Sequence, residues 1–189
     1  MRRAPTVYCD GAYDWNRGKA GIGVFWGPAD SRNLNLSLTG DKVTNIRAEI
    51  QAVNIAILQA HRSKLNRIYV KTDCAFVVKV INLWLEKWRL NSWKKASGAV
   101  LENVEDIKRL SDRLNLVKVR IEHIYGHQKV DVKKLMAHKD QIAWRKLTSE
   151  ERDALGNHES DRLAQLGIDQ PMMSDTDFES LAGAVESAS

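Results

Sequence analysis

The apolar residues of this chain change their spacing near residue 44, and that change limits the architectures open to it. Before it, three short segments carry strand signatures. Residues 6–9 (Thr-Val-Tyr-Cys) are β-branched and aromatic, and Asp10-Gly11 reads as the turn that ends them. Residues 21–26 read Gly-Ile-Gly-Val-Phe-Trp, and residues 33–38 alternate Asn-Leu-Asn-Leu-Ser-Leu with period two. The Gly/Pro/Asp/Ser cluster at 27–31 is a hairpin loop between them. Such close spacing predicts an antiparallel meander. After Thr44, a suitable N-cap, Ile46, Ile50, Val53, Ile57 and Ala60 recur on one helical face. Residues 67–72 then read as a fourth strand, 74–85 and 103–114 as helices, and 117–124 as a fifth strand. A last helix is predicted over 157–166, capped by Asn157. Three antiparallel strands followed by βαβ units predict an α/β fold, a five-stranded mixed sheet flanked by helices.

Composition removes several classes of function. At 43% hydrophobic and 28% charged residues, the chain is neither a fibrous repeat nor wholly disordered. No run approaches the ~18 apolar residues of a membrane span, and the most apolar stretch, 76–85, is broken by Lys79 and Asn82. Met1-Arg2-Arg3-Ala4-Pro5 has no apolar region behind it, so no secretory signal is read. Cys9 and Cys74 are too few for a disulfide framework, and the expected setting is intracellular and reducing. Five acids and no Lys or Arg lie beyond Gly167, so the first 167 residues carry +10 where the whole chain carries +5. A basic body suits a polyanionic partner such as nucleic acid. The expected organisation is one domain over 1–167 and an acidic, aperiodic, disordered tail over 168–189.

Four carboxylates stand out by placement. Asp10 and Asp73 each fall at the C-terminal end of a predicted strand, and ligands of open α/β sheets bind outside those ends. Each also fits a plainer role, Asp10 in an Asp-Gly turn and Asp73 as a helix cap. Glu49 lies between Ile46 and Val53 on the helical wheel, at the margin of the apolar face. A carboxylate there is costly unless paired, hydrogen-bonded or bound to a metal, and the alternative is a Glu that snorkels to solvent. Asp161 falls in the first turn of the predicted last helix, where the dipole favours negative charge.

Taken together, Val7-Tyr8-Cys9-Asp10-Gly11-Ala12, Thr44-Asn45-Ile46-Arg47-Ala48-Glu49 and Tyr69-Val70-Lys71-Thr72-Asp73 resemble the motifs of the type 1 ribonuclease H family. Gly126-His127 and Gly156-Asn157-His158-Glu159-Ser160-Asp161-Arg162-Leu163-Ala164 complete the resemblance, which covers residues 6–166. Each motif alone is weakly specific; five in order on the right elements are strongly so. The resemblance implies a ribonuclease H-like fold, the mixed sheet already predicted, and an endoribonuclease that hydrolyses the RNA strand of RNA/DNA hybrids by two-metal-ion catalysis. It implies that Asp10, Glu49, Asp73 and Asp161 hold two Mg²⁺, with Mn²⁺ as a substitute. Asp10 would bridge the ions, Asp161 join it on the nucleophile side, and Glu49 and Asp73 stand on the leaving-group side. His127 would assist product release or proton transfer. The family tells RNA from DNA through 2′-hydroxyl contacts.

By the same resemblance Asn16 and Asn45 contact the hybrid, and Thr44 and Asn103 form part of a pocket for a DNA-strand phosphate. Ile46 stands where the family usually has an amide and Ala75 where a longer polar side chain is common. Both departures remove possible minor-groove hydrogen bonds, and a weaker affinity or hybrid preference is expected. Residues 84–95 interleave Trp84 and Trp88 with Lys87, Arg89, Lys94 and Lys95, a set resembling the family's basic protrusion. Trp84 is expected in the core. Residues 128–156 form an insertion where relatives commonly have a short loop. The expectation there is an ordered or semi-ordered flap beside the metal site that modulates product release or hybrid docking, the alternative a disordered loop without a role. A monomer with no membrane partner is expected. Two other readings remain open at this point, a catalytically silent hybrid- or duplex-binding module and the ribonuclease H domain of a retroelement or viral polyprotein.

Overall fold

The computed structural model describes residues 4–40, 42–125, 130–136, 141–172, 174 and 176–177, with backbone alone for 141–142. The expected tail over 168–189 and the insertion over 128–156 thus lie partly outside the described residues. Strands β1 (Thr6–Asp14), β2 (Lys19–Phe25), β3 (Leu34–Ser37), β4 (Arg67–Thr72) and β5 (Lys118–His123) form one sheet in the order β3-β2-β1-β4-β5. The first three pair antiparallel, and β4 and β5 run parallel to β1, as the sequence predicts. No helix among the described residues is long and apolar enough to cross a membrane.

Helix α1 (Asn45–Arg62) buries nearly its whole length, and the Thr44 hydroxyl caps it by accepting from the Arg47 N–H. Ile50, Val53, Ala56 and Ile57 meet Val7 and Cys9 of β1 in the main core. Polar residues of this helix are buried too, and they converge on Asp106. Arg47 Nε pairs with Asp106 Oδ2 at 2.6 Å, and the Gln51 side chain donates to Oδ1 at 3.1 Å. Asp106 belongs to α4 (Val104–Arg113), so this buried pair joins the first turns of two helices. Between β4 and α4 lies a longer helical run than the sequence suggests. α2 (Ala75–Lys79) passes through a π-helical stretch (Val80–Trp84) into α3 (Leu85–Leu90).

Two short helices, α5 (Val132–Leu135) and α6 (Gln141–Lys146), precede α7 (Ser149–Gly167). The predicted start of this last helix at Asn157 is wrong by eight residues. Thr148 and Glu151 form a reciprocal capping box, which sets the N-terminus at Ser149 and leaves Asn157 in the helix interior. α7 lies on the sheet face that carries Tyr8 and Ala12, opposite to Val7 and Cys9. Its backbone touches β2: a Cβ at Gly23 would stand 2.0 Å from the carbonyl oxygen of Ser160, and one at Gly21 2.1 Å from that of Ala164. The early turns of α7 are tied to the central strands. Tyr8 Oη donates to Asp153 Oδ1 at 2.9 Å, and Lys71 Nζ reaches Asp153 Oδ2 at 2.7 Å.

Candidate active site

Asp10 does not end β1, as its Asp-Gly pair predicts; it lies within the strand, opposite Gly23 of β2. Gly11 serves another purpose than a turn. A Cβ there would stand 2.6 Å from the backbone nitrogen of Glu49, so the glycine lets α1 approach β1 and brings Glu49 beside Asp10. Pairing of β1 with β4 stops at Tyr8↔Lys71. Asp10 therefore stands where the two strands part, and Asp73, the first residue after β4, borders the same gap. Cys74, not Asp73, occupies the cap position of α2.

One carboxylate oxygen from each of Asp10, Glu49 and Asp73 lies within 4.8 Å of the other two. Glu49 has not snorkelled; it is 5% exposed. Burial first, and then the charges of Asp73 and Asp161, push the Asp10 carboxyl up to about 8. The Gly11 N–H, donating to Asp10 Oδ1 at 2.8 Å, offsets part of this. Burial, followed by the charges of Asp10 and Asp73, likewise raises Glu49 well above its usual range. Glu49 Oε2 is buried with no hydrogen-bond partner. A cluster so rich in carboxylate oxygen and so poor in donors suits a hard divalent cation, which takes such oxygens as ligands.

Asp161 is outside this tight trio but lines the same cavity, of about 610 Å³, with Asp10 and Asp73. Because α7 begins at Ser149, Asp161 is twelve residues inside the helix, and the favourable dipole position expected for it does not exist. The packing of α7 on β1 and β2 places it. Asn157, one helical turn before Asp161, donates from Nδ2 to Asp73 Oδ2 at 3.3 Å. His123 Nε2 donates to the backbone oxygen of Asp73 at 3.0 Å. The sequence reading gives neither residue such a role. The spacing of four between Asn157 and Asp161 carries the signal for the first, once the helix is read from Thr148. His127 lies outside the described residues.

The residues expected to meet substrate stand in three places. Asn16 is exposed in the turn after β1, its backbone N–H donating to Asp14 Oδ1 at 2.9 Å, and Asn45 is exposed at the start of α1. Thr44 and Asn103 are the caps of α1 and α4, whose first turns the Arg47–Asp106 pair holds together. Asn103 has a left-handed backbone (φ 57°), and its Oδ1 is buried without a partner. Of the two departures, Ile46 packs half-buried against the core and Ala75 is exposed. Lys87, Arg89, Lys94 and Lys95 are all exposed, on α3 and the turn after it. Arg89 pairs with Glu86 at 3.4 Å and Lys95 with Glu102 at 3.3 Å. Trp84 and Trp88 are both half-buried against the core, their ring centroids 5.5 Å apart. Trp93 (φ 62°) donates its N–H to the Trp88 oxygen at 2.7 Å and fixes the turn that carries the last two lysines.

A profile of the RNase H family matches residues 2–169. Ribonuclease H1 of Mus musculus is 32% identical over 173 residues, which cover 90% of this chain and 52% of that protein. The chain thus spans about half the length of the mammalian relatives it matches. Ribonuclease H of Chlorobium phaeobacteroides (strain BS1) is 31% identical over 128 residues, 67% of this chain and 86% of that one. The foamy viral protease-reverse transcriptase, solved in complex with RNA/DNA hybrid, shares the fold with a TM-score of 0.64 at 22% identity, over 89% of this chain and 21% of the viral one.

Proposed function

The chain belongs to the ribonuclease H family, and from that premise we propose that it hydrolyses the RNA strand of an RNA/DNA hybrid. The observation that carries this reading is the convergence of Asp10, Glu49 and Asp73 within 4.8 Å at the gap between β1 and β4. Asp10, Glu49, Asp73 and Asp161 are the residues that would hold two Mg²⁺, with Mn²⁺ as a substitute. Bound there, the cations supply an activated water and stabilise the leaving oxygen. The chain's own residues do the rest. Gly11 admits α1 so that Glu49 reaches Asp10, and Asn157 orients the Asp73 carboxylate. The burial and mutual repulsion that raise Asp10 and Glu49 both favour a bound positive charge there. Residues 1–167 act as the catalytic body, with His127 assisting proton transfer or product release. Action as a monomer is part of the proposal. Asn16, Thr44, Asn45 and Asn103 are read as hybrid contacts, and Trp88 with Lys87, Arg89, Lys94 and Lys95 as a grip on the DNA strand.

Incubation of the purified protein with Mg²⁺ and a hybrid labelled on the RNA strand tests the proposal. RNA fragments with 5′-phosphates are expected, while single-stranded RNA and duplex DNA survive. Hybrid left intact in both Mg²⁺ and Mn²⁺ overturns the activity, and hybrid bound but intact points to a binding module instead.

A further inference from the structure

Part of the wall around Asp10, Asp73 and Asp161 comes from the stretch that joins β5 to α7. Val130, Asp131, Val132 and Lys133 line the same cavity. This stretch is anchored. Leu135 is buried with Leu147 and Leu155, and Val130, Val132, Met136 and Trp144 pack on that cluster. Trp144 also meets the Tyr8 and Phe25 rings edge-on, with centroids 6.3 and 5.7 Å apart. The Asp131 side chain accepts from the Lys134 N–H and caps α5. Lys133 is thus presented from a short helix held against α7.

The charge around the cavity is lopsided. Asp10, Asp73, Asp131 and Asp161 line it, and Lys133 is the sole Lys or Arg among the described residues that do. Lys133 has no ion pair among the described residues. Its neighbour Lys134 faces Asp131 at 3.9 Å with its side chain 85% exposed, and does not line the cavity. The cations proposed at Asp10, Asp73 and Asp161 serve the phosphate that is cut. A neighbouring phosphate, passing the remaining acid Asp131, needs its own counter-charge, and an ammonium is a compact point-charge partner for phosphate. We propose that Lys133 binds a backbone phosphate of the strand held at the carboxylates, next to the phosphate that is cut. This rests on the proposed function for the identity of that strand. The Lys133 contact is supplied by the insertion, and a helix fixed by apolar packing offers it from a backbone that is already ordered.

The experiment compares the parent with Lys133→Ala, Lys133→Arg and Lys134→Ala. Hybrid affinity is measured in Ca²⁺ between about 50 and 200 mM salt, and steady-state cleavage in Mg²⁺. For Lys133→Ala the log–log salt slope should fall by about 0.7–0.9, one phosphate contact. Its KM should rise about fivefold, the size of one exposed charge pair, with kcat within about twofold. Lys133→Arg restores both, and Lys134→Ala matches the parent. Because the salt slope needs no turnover, a parent that binds hybrid without cutting it overturns the activity while the slope still decides the Lys133 contact. A slope unchanged in Lys133→Ala, an equal loss in Lys134→Ala, or a parent that binds no hybrid overturns this inference.

Discussion

At neutral pH the buried Asp10 faces Asp73 and Asp161, and its carboxyl is pushed up to about 8. The unfolded chain has an ordinary Asp near 3.8, so between these values the folded protein holds a proton that the unfolded one has released. Folding stability therefore falls as pH rises from about 4 to about 8. Asp10→Asn should weaken that dependence, because the amide keeps the shape and drops the charge, leaving the part that buried Glu49 contributes. In EDTA at pH 8 the variant should melt above the parent by about 2–4 °C, the shift that ~1 kcal/mol gives at this size. Hybrid cleavage should drop at least about 100-fold with hybrid binding in Ca²⁺ retained. Parallel melting curves across this pH range would show that Asp10 feels no such repulsion. The same environment keeps Cys74 protonated, its thiol pushed up to about 12 by burial and the nearby Glu49 charge.

The elements show where sequence is informative and where it misleads. Strand β4 was legible to the residue, since its β-branched run is bounded by polar residues on both sides. β1 was read five residues short, because Asp-Gly signals a turn whether the glycine bends the chain or admits a neighbouring backbone. α7 was read eight residues late for a related reason, because Asn157 is a plausible cap, and only the Thr148–Glu151 box outranks it. The four carboxylates were legible as residues, but the Asn157–Asp73 contact depends on helix phase. Gly156 makes the packing of α7 testable. Ala in a helix interior gains about 1 kcal/mol over Gly. Here its Cβ would stand 2.5 Å from the Tyr8 ring, which the Asp153 hydrogen bond and the Trp144 ring hold in place. Gly156→Ala should therefore lower stability by about 1–3 kcal/mol, read as a lower midpoint in urea. An unchanged or raised midpoint would mean that the Tyr8 ring yields.

On the scale of the whole molecule, basic charge lies in the first 167 residues and five acids follow Gly167 in sequence, of which Asp169 pairs with Arg17 at 2.5 Å. The most concentrated basic set is on α3 and its turn, and two of its four cations are paired with protein acids. Replacing Lys87, Arg89, Lys94 and Lys95 by Ala should lower the log–log salt slope of hybrid binding by roughly 1.8, two contacts at about 0.9 each. A loss near 3.6 would mean that the Glu86 and Glu102 pairs open on binding. An unchanged slope would make this an ordinary solvated face.

The docking of α7 on β1 and β2 also sets a schedule. Chains grow from the N-terminus at about 5–20 residues per second. Asp10, Glu49 and Asp73 leave the ribosome early, but Asp161 follows Asp73 by 88 residues, a delay of about 4–18 s at that rate. During that interval β2 keeps Gly21 and Gly23 bare and the wall that α7 gives the cavity is missing. A nascent chain of this design holds three of the four carboxylates proposed for the site until the last helix is in place.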